Sequence, residues 1–333
     1  MAEKPASRLT LGVDLDAPGK VTGDLMLRWS DNSSPLGYHP IPVISLKGGV
    51  GPRLLVTGGT HGDEFEGPAA MMRLATRLNP AELHGQVILI PALNAPAVRE
   101  SARVSPFDNV NLNRAFPGDP NGGPTAMIAD FIESVLLPTC DAAIDLHSGG
   151  KASFFAPSAL ATQTTDPDLR AANLALAEAF GLPLIWELGN MNDNRSLNSA
   201  AERQGVPMIA TELGGGGGVD PDITNATERG LMRALGHLGI LGEAPEPAKA
   251  RRIVMSPDTP SLYAPGAGVF DRHVSAGRNV KAGDIAGQFH FIDEPERPSI
   301  DITFPSDGFI LAHTCRGYVK RGDLLALVAR DVE

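Results

Sequence analysis

Apolar and polar positions change their rhythm along this chain of 333 residues. Over 20–27 and 41–46 they alternate in short stretches joined by polar turns, the period-two pattern of strands. From residue 53 the texture changes. The runs 53–57, 86–91, 142–146 and 206–211 are apolar on both faces, which suits strands inside a sheet covered on each side. Between them the spacing becomes helical over 67–78, 124–137, 169–180 and 225–238. Such alternation predicts an α/β domain over residues 47–242, although the pattern does not fix its strand order.

Residues 1–46 form an N-terminal β segment, expected to pack with the C-terminal end of the chain. Residues 242–248, rich in Pro, Glu and Ala, read as a linker. Beyond it, residues 249–333 are rich in glycine and β-formers, without a convincing helical pattern. Two stretches there echo each other. Gly277, Val280, Lys281, Gly283 and Asp284 are answered by Gly317, Val319, Lys320, Gly322 and Asp323. A repeated strand-turn-strand implies a β-rich, barrel-like module that resembles the biotinyl/lipoyl barrel. No lysine stands at a tight hairpin tip between the halves, so the module reads as a structural or oligomerising element and not as a cofactor carrier.

Composition narrows the class. The chain is 42% hydrophobic, with no apolar run near the roughly 18 residues that would span a membrane. Its first residues lack the apolar stretch of a secretory signal. Cys140 and Cys315 stand far apart without metal-type spacing, which fits a reducing cytoplasm and two buried, unreactive thiols. A net charge of -11 argues against nucleic acid as a partner. These features point to a small-molecule partner and a cytoplasmic location, and leave a homo-oligomer open.

The sharpest chemical signal is Gly58-Gly59-Thr60-His61-Gly62-Asp63-Glu64, directly after an apolar strand. Strand-to-helix turns at the carboxyl ends of an α/β sheet are where ligands collect. Three positions apart, His61 and Glu64 can converge on one ion, and imidazole and carboxylate both suit Zn²⁺. Taken alone, His-x-x-Glu is also common in a Gly-rich turn with an acid at a helix start. A third donor, His147, ends the run 142–146, and Asp145 shares its face of the strand as a partner for the ring.

Thr211-Glu212-Leu213 leads into five glycines, Gly214 to Gly218, an open and mobile edge by composition. Glu212 is the candidate general acid/base for metal-activated water, with Asp63 and Glu66 as rivals. Asn113 and Arg114 can grip a substrate carboxylate, and Arg103 can polarise a scissile carbonyl. The segment 186–195 is a candidate pocket wall, in which Glu187 or Asp193 could receive a substrate amine.

Together these motifs resemble the aspartoacylase/succinylglutamate desuccinylase family, relatives of the zinc carboxypeptidases. The resemblance rests on Gly59-x-His61-Gly62-Asp63-Glu64-x-x-Gly67, Asn111-Leu112-Asn113-Arg114-x-Phe116-Pro117-Gly118, Asp145-Leu146-His147 and Thr211-Glu212-x-Gly214. It implies a zinc-carboxypeptidase-like mixed sheet flanked by helices. It implies one zinc per chain on His61, Glu64 and His147, Asn113 and Arg114 on the substrate carboxylate, Arg103 at the carbonyl and Glu212 as acid/base. The wording His147-Ser148-Gly149-Gly150-Lys151 and Glu212-Leu213-Gly214-Gly215-Gly216 is similar to one branch, the N-α-acetyl-L-2,4-diaminobutyrate deacetylases of ectoine breakdown. By that resemblance the substrate is a small N-acyl diamino acid. Another acyl amino acid, a short peptide cut by a carboxypeptidase, and a non-catalytic, metal-stabilised assembly protein remain alternatives. Ligand chemistry also leaves nickel or another divalent ion open in place of zinc.

Overall fold

A computed structural model of the chain describes residues 6–32, 35–189, 192–242 and 245–332. The strands that matter here are Gly19–Leu27 (β1), His39–Lys47 (β2), Arg53–Gly58 (β3), Gln86–Ile90 (β4), Ala142–His147 (β5), Ser153–Thr162 (β6), Leu184–Leu188 (β7) and Met208–Gly215 (β8). Arg251–Val254 (β9), Gly268–Arg272 (β10), Ile285–His290 (β11), Ile300–Thr303 (β12), Gly308–Thr314 (β13) and Leu324–Asp331 (β14) follow. One large mixed sheet runs in the order β1-β2-β4-β3-β5-β8-β6-β7-β9-β14-β13. Its centre, β4-β3-β5-β8, is parallel and carries the four doubly apolar runs.

Helices Glu66–Arg77 (α1), Pro124–Phe131 (α2), Pro167–Phe180 (α3), Leu197–Gln204 (α4) and Pro221–His237 (α5) connect and cover these strands. Alternation along β3 assigns the two faces. Leu54 and Val56 pack with Met71, Leu74, Phe180 and Leu231 of α1, α3 and α5. Leu55 packs on the other side with Ile128, Phe131 and Leu197 of α2 and α4. Truncating a fully buried leucine such as Leu54 or Leu55 to alanine costs about 2–5 kcal/mol.

Helix boundaries follow local chemistry more closely than periodicity. Asp220 Oδ1 accepts the N–H groups of Asp222 and Ile223, and Pro221 occupies the first turn, so α5 starts four residues before the apolar spacing places it. The pattern over 124–137 is an α-helix only to Phe131. It continues as a π turn, Ile132–Leu136, and a 3₁₀ turn, Leu137–Thr139. Pro138 lacks the N–H that would bond back to residue 134, so the α-helical ladder cannot continue there.

Among the described residues the N-terminal β segment does not pair with the strands of the C-terminal module. β2 instead pairs antiparallel with β4, and Ile41 and Val43 bury against Ile88 and Ile90, extending the opposite edge of the central sheet. The C-terminal module is β-rich and barrel-like, as expected, but it is no appendage. β6, β7, β9, β14 and β13 close into a five-stranded barrel, so two of its strands come from the central part of the chain. The sequence echo is a structural repeat. Gly283 and Gly322 both adopt φ +88°, and the side chains of Asp284 and Asp323 accept the N–H groups of Lys281 and Lys320 at 2.8 and 2.9 Å. Of the expected linker, residues 243 and 244 lie outside the described residues. Cys140 is buried, whereas Cys315 is exposed because it follows β13 onto the surface. Among the described residues no helix is long and apolar enough to cross a membrane.

Candidate metal centre and substrate cavity

Three neighbouring strand ends assemble the site. β3 ends at Gly58, and the chain turns through Gly59 at φ +65° toward His61 and Glu64. Gly62 follows because space demands it: a Cβ there would sit 2.0 Å from the carbonyl carbon of Ala97. β5 ends at His147, which pairs directly across from Glu212 on β8. The apolar sheet thus delivers an imidazole and a carboxylate side by side at its carboxyl edge.

His61 Nδ1 lies 2.7 Å from Glu64 Oε1, and His147 Nδ1 lies 2.9 Å from Glu64 Oε2. Donor atoms of all three residues fall within 4.8 Å of one another, and all three side chains are buried. The far nitrogens are occupied: His61 Nε2 is 3.0 Å from Asn111 Oδ1, and His147 Nε2 is 2.7 Å from Asp145 Oδ2. Thr57 and Thr60 hydroxyls donate to Asp145 Oδ1 at 2.7 and 2.9 Å. In the neutral tautomer that carries its hydrogen on Nε2, each ring would direct an Nδ1 lone pair inward. The Ser148 N–H donates to Glu64 Oε2 at 3.1 Å.

Charge tells the same story. Burial opposes ionisation of Glu64, yet His61 and His147 outweigh it and hold the carboxyl far below its usual range. Burial likewise opposes protonation of His147, and Asp145 and Glu64 pull it well above the usual imidazole value. The cluster therefore calls for positive charge among its donors. Two imidazole nitrogens and a carboxylate, open on one side, fit a divalent cation such as zinc, whose catalytic sites take three protein ligands.

That open side faces a cavity of about 350 Å³. Glu212 lines it, with Oε2 buried and without a hydrogen-bond partner among the described residues. Burial first, and then the charge of Glu64, push the Glu212 carboxyl up to about 8 against the pull of His147 and Arg103. The glycines after it are not an open edge. Gly214 to Gly217 all have positive φ, and Gly214 O, Gly215 N and Gly216 N bond to Gly149, Glu66 and Ser153. The loop is pinned, and Glu212 with it.

Arg103, Asn113 and Arg114 all reach the cavity wall. Arg103 Nη1 lies 3.4 Å from Glu64 Oε1. Asn113 Oδ1 accepts the Leu197 N–H at 2.9 Å, which turns its Nδ2 toward His147 Nε2, 3.4 Å away. Arg114 Nε is 3.0 Å from Asp193 Oδ2. The rival acids lie elsewhere. Asp63 Oδ2 accepts the Lys151 N–H, and Glu66 Oε1 accepts the Gly215 N–H, so both brace loops behind the site. Glu187 turns away from the cavity and is held by Gln163 and Arg252. Asp193 does line the cavity, yet both of its oxygens already face arginines, so its charge is answered by guanidinium groups before any amine arrives. Trp186 and Leu188 form part of the wall, while residues 190 and 191 of the expected segment 186–195 lie outside the described residues. Asn111 and Ser148 hold the His61–Glu64–His147 cluster, and the sequence assigns neither a role; both stand inside the quoted motifs, the one available signal.

Residues 50–238 match the family described as succinylglutamate desuccinylase/aspartoacylase catalytic domain. Over 330 residues the chain is 36% identical to an N-alpha-acetyl-L-2,4-diaminobutyric acid deacetylase of Halomonas elongata, covering 98% of this chain and 96% of that protein. Among solved structures, a succinylglutamate desuccinylase/aspartoacylase from Rhodobacter sphaeroides superposes with a TM-score of 0.92 at 36% identity, covering 98% of this chain and 100% of that one. The product-bound ectoine utilization protein EutE (DoeB) from Ruegeria pomeroyi gives 0.94 at 34% identity, with the same coverage.

Proposed function

The chain belongs to the succinylglutamate desuccinylase/aspartoacylase family, and from that premise we propose that it is a zinc-dependent deacylase of a small N-acyl amino acid, with N-acetyl-2,4-diaminobutyrate as substrate. One observation carries the reading: His61, Glu64 and His147 converge beside Glu212, which lines the same cavity and whose Oε2 has no hydrogen-bond partner among the described residues. Similarity along nearly the whole chain to a protein named as an acetyl-diaminobutyrate deacetylase supports the substrate. The cavity, about 350 Å³, is at the low end of ligand pockets, roughly 300–1,000 Å³, which favours a small substrate over a peptide.

His61 Nδ1, a Glu64 oxygen and His147 Nδ1 would hold the ion. A bound zinc supplies Lewis acidity at the amide carbonyl and a water of lowered pKa. Glu212 Oε2 takes the proton of the attacking water and returns it to the departing amine nitrogen, a role its raised affinity for protons suits. Arg103, which lines the cavity with Nη1 3.4 Å from Glu64 Oε1, offsets charge that develops on the carbonyl oxygen. Asn113 and Arg114 orient the substrate through its carboxylate. Asp145, fixed by Thr57 and Thr60, keeps His147 aimed.

Amine release from acetyl-diaminobutyrate, acetyl-aspartate, succinyl-glutamate and acetyl-ornithine, with zinc-loaded and chelated protein in parallel, tests the reading. Chelator-sensitive release from acetyl-diaminobutyrate is the expected result. Silence across the panel with zinc bound would overturn it.

A further inference from the structure

Arg114 is not left to swing at the cavity mouth. Its Nε is 3.0 Å from Asp193 Oδ2, and its Nη1 donates to the backbone carbonyl of Asn113 at 2.6 Å. Asp193 is itself clasped by Arg195. The Arg195 backbone N–H and Nε reach Oδ1 at 2.9 and 3.0 Å, and Nη2 reaches Oδ2 at 2.8 Å. Three hydrogen-bond donors of Arg195 and the ion-paired Nε of Arg114 surround one carboxylate. The chain thus places an Arg195–Asp193–Arg114 succession of charge contacts at the cavity that His61, Glu64 and His147 also line, and no role in the chemistry described so far uses Asp193 or Arg195.

We infer that Asp193 and Arg195 are positioning residues that hold Arg114 as a pre-formed fork for the substrate's carboxylate, an inference that rests on the carboxylate-binding role proposed for Arg114. The geometry says how. With Nε ion-paired beside Asp193 Oδ2 and one Nη1 hydrogen donated to Asn113, the edge left for an anion is Nη2 with the second Nη1 hydrogen, the end-on edge of the guanidinium. Two parallel N–H donors on one edge match a carboxylate, whose two oxygens both accept, and match a carboxamide poorly, because its nitrogen has only hydrogens to present. Arg114 and Arg195 are both substantially exposed, so without Asp193 each side chain would keep its rotamer freedom and surrender it only on binding. Charge points the same way: two guanidinium groups against one carboxylate leave a net positive wall for an anionic group.

The experiment compares an N-acetyl amino acid with its C-terminal carboxamide in the zinc-loaded wild type, Arg114→Gln, Asp193→Asn and Asp193→Glu. Calorimetric binding of the product amino acid and thermal melts are run alongside. Asp193→Asn is expected to raise KM for the acid about tenfold, keep kcat within about twofold and narrow the acid-over-amide preference, with product binding weakened by a similar factor. Asp193→Glu is expected to restore part of the loss. Wild-type KM and preference in Asp193→Asn, with Arg114→Gln losing both, would overturn this inference alone. Equal losses of Asp193→Asn on acid and amide would mark a merely structural residue and also overturn it. An undiminished acid preference in Arg114→Gln would overturn the role of Arg114 itself, and this inference with it.

Discussion

Asn111 Oδ1 lies 3.0 Å from Nε2 of His61 and also accepts the backbone N–H of Asn113 at 2.9 Å. One side chain therefore fixes the ring that faces Glu64 and the turn that carries Asn113 to the cavity wall. Partners of ligating histidines typically contribute 10–100-fold in metal affinity. Asn111→Ala should weaken zinc binding by about that factor while leaving the fold intact. Competition against a chromophoric chelator measures it, and an unchanged dissociation constant would remove Asn111 from the metal site.

Gly215 tests whether the glycine loop is pinned. It sits at φ +136°, and a Cβ there would come within 2.1 Å of the Ser153 carbonyl oxygen. Gly218, three residues on, has open space around it. Gly215→Ala should cost about 2–4 kcal/mol through clash and backbone strain, and should lower turnover by displacing Glu212. Gly218→Ala should melt within a degree or two of the wild type. Matching melts for the two variants would return the loop to an unconstrained edge.

His313 gives the barrel a pH signature. Its ring stacks on Phe154, and Nδ1 accepts the Ala276 N–H at 3.0 Å, which requires the neutral form. Burial, and then the charge of Arg272, push its pKa down from 6.5 to about 4. Between those values the unfolded chain binds the extra proton more readily than the folded one, so stability falls as pH drops from about 6.5 toward 4 and is flat above. His313→Gln removes the titration. From pH 7 to 5 the wild type should therefore lose more of its melting temperature than the variant. Parallel curves would contradict the assignment.

Local motifs made much of the site legible. His61 and Glu64 share one turn, Asp145 and His147 share one strand face, and the doubly apolar runs around them admit few arrangements other than central strands. What escaped depended on pairing between distant segments. Nothing in 39–47 states that it joins β4 and not the C-terminal module, because either edge would accept its backbone. The barrel closes through β6 and β13, whose partners Phe155 and Ala312 lie far apart in the chain. The glycine run looked free by composition, and only the facing carbonyl of Ser153 and side chain of Glu66 show it held. Arg114 was legible as a cation beside an amide, but its aim is set by Asp193 across a loop whose conformation no periodicity encodes.

Zinc content and turnover measured together in Glu212→Gln bear most directly on the proposed chemistry. Gln keeps the size of the side chain and removes the proton acceptor. The variant should retain about one zinc per chain and wild-type melting behaviour, while kcat on acetyl-diaminobutyrate falls by about 10²–10⁴-fold, the usual contribution of a general acid/base. Near-normal turnover with zinc bound would contradict the account at its centre.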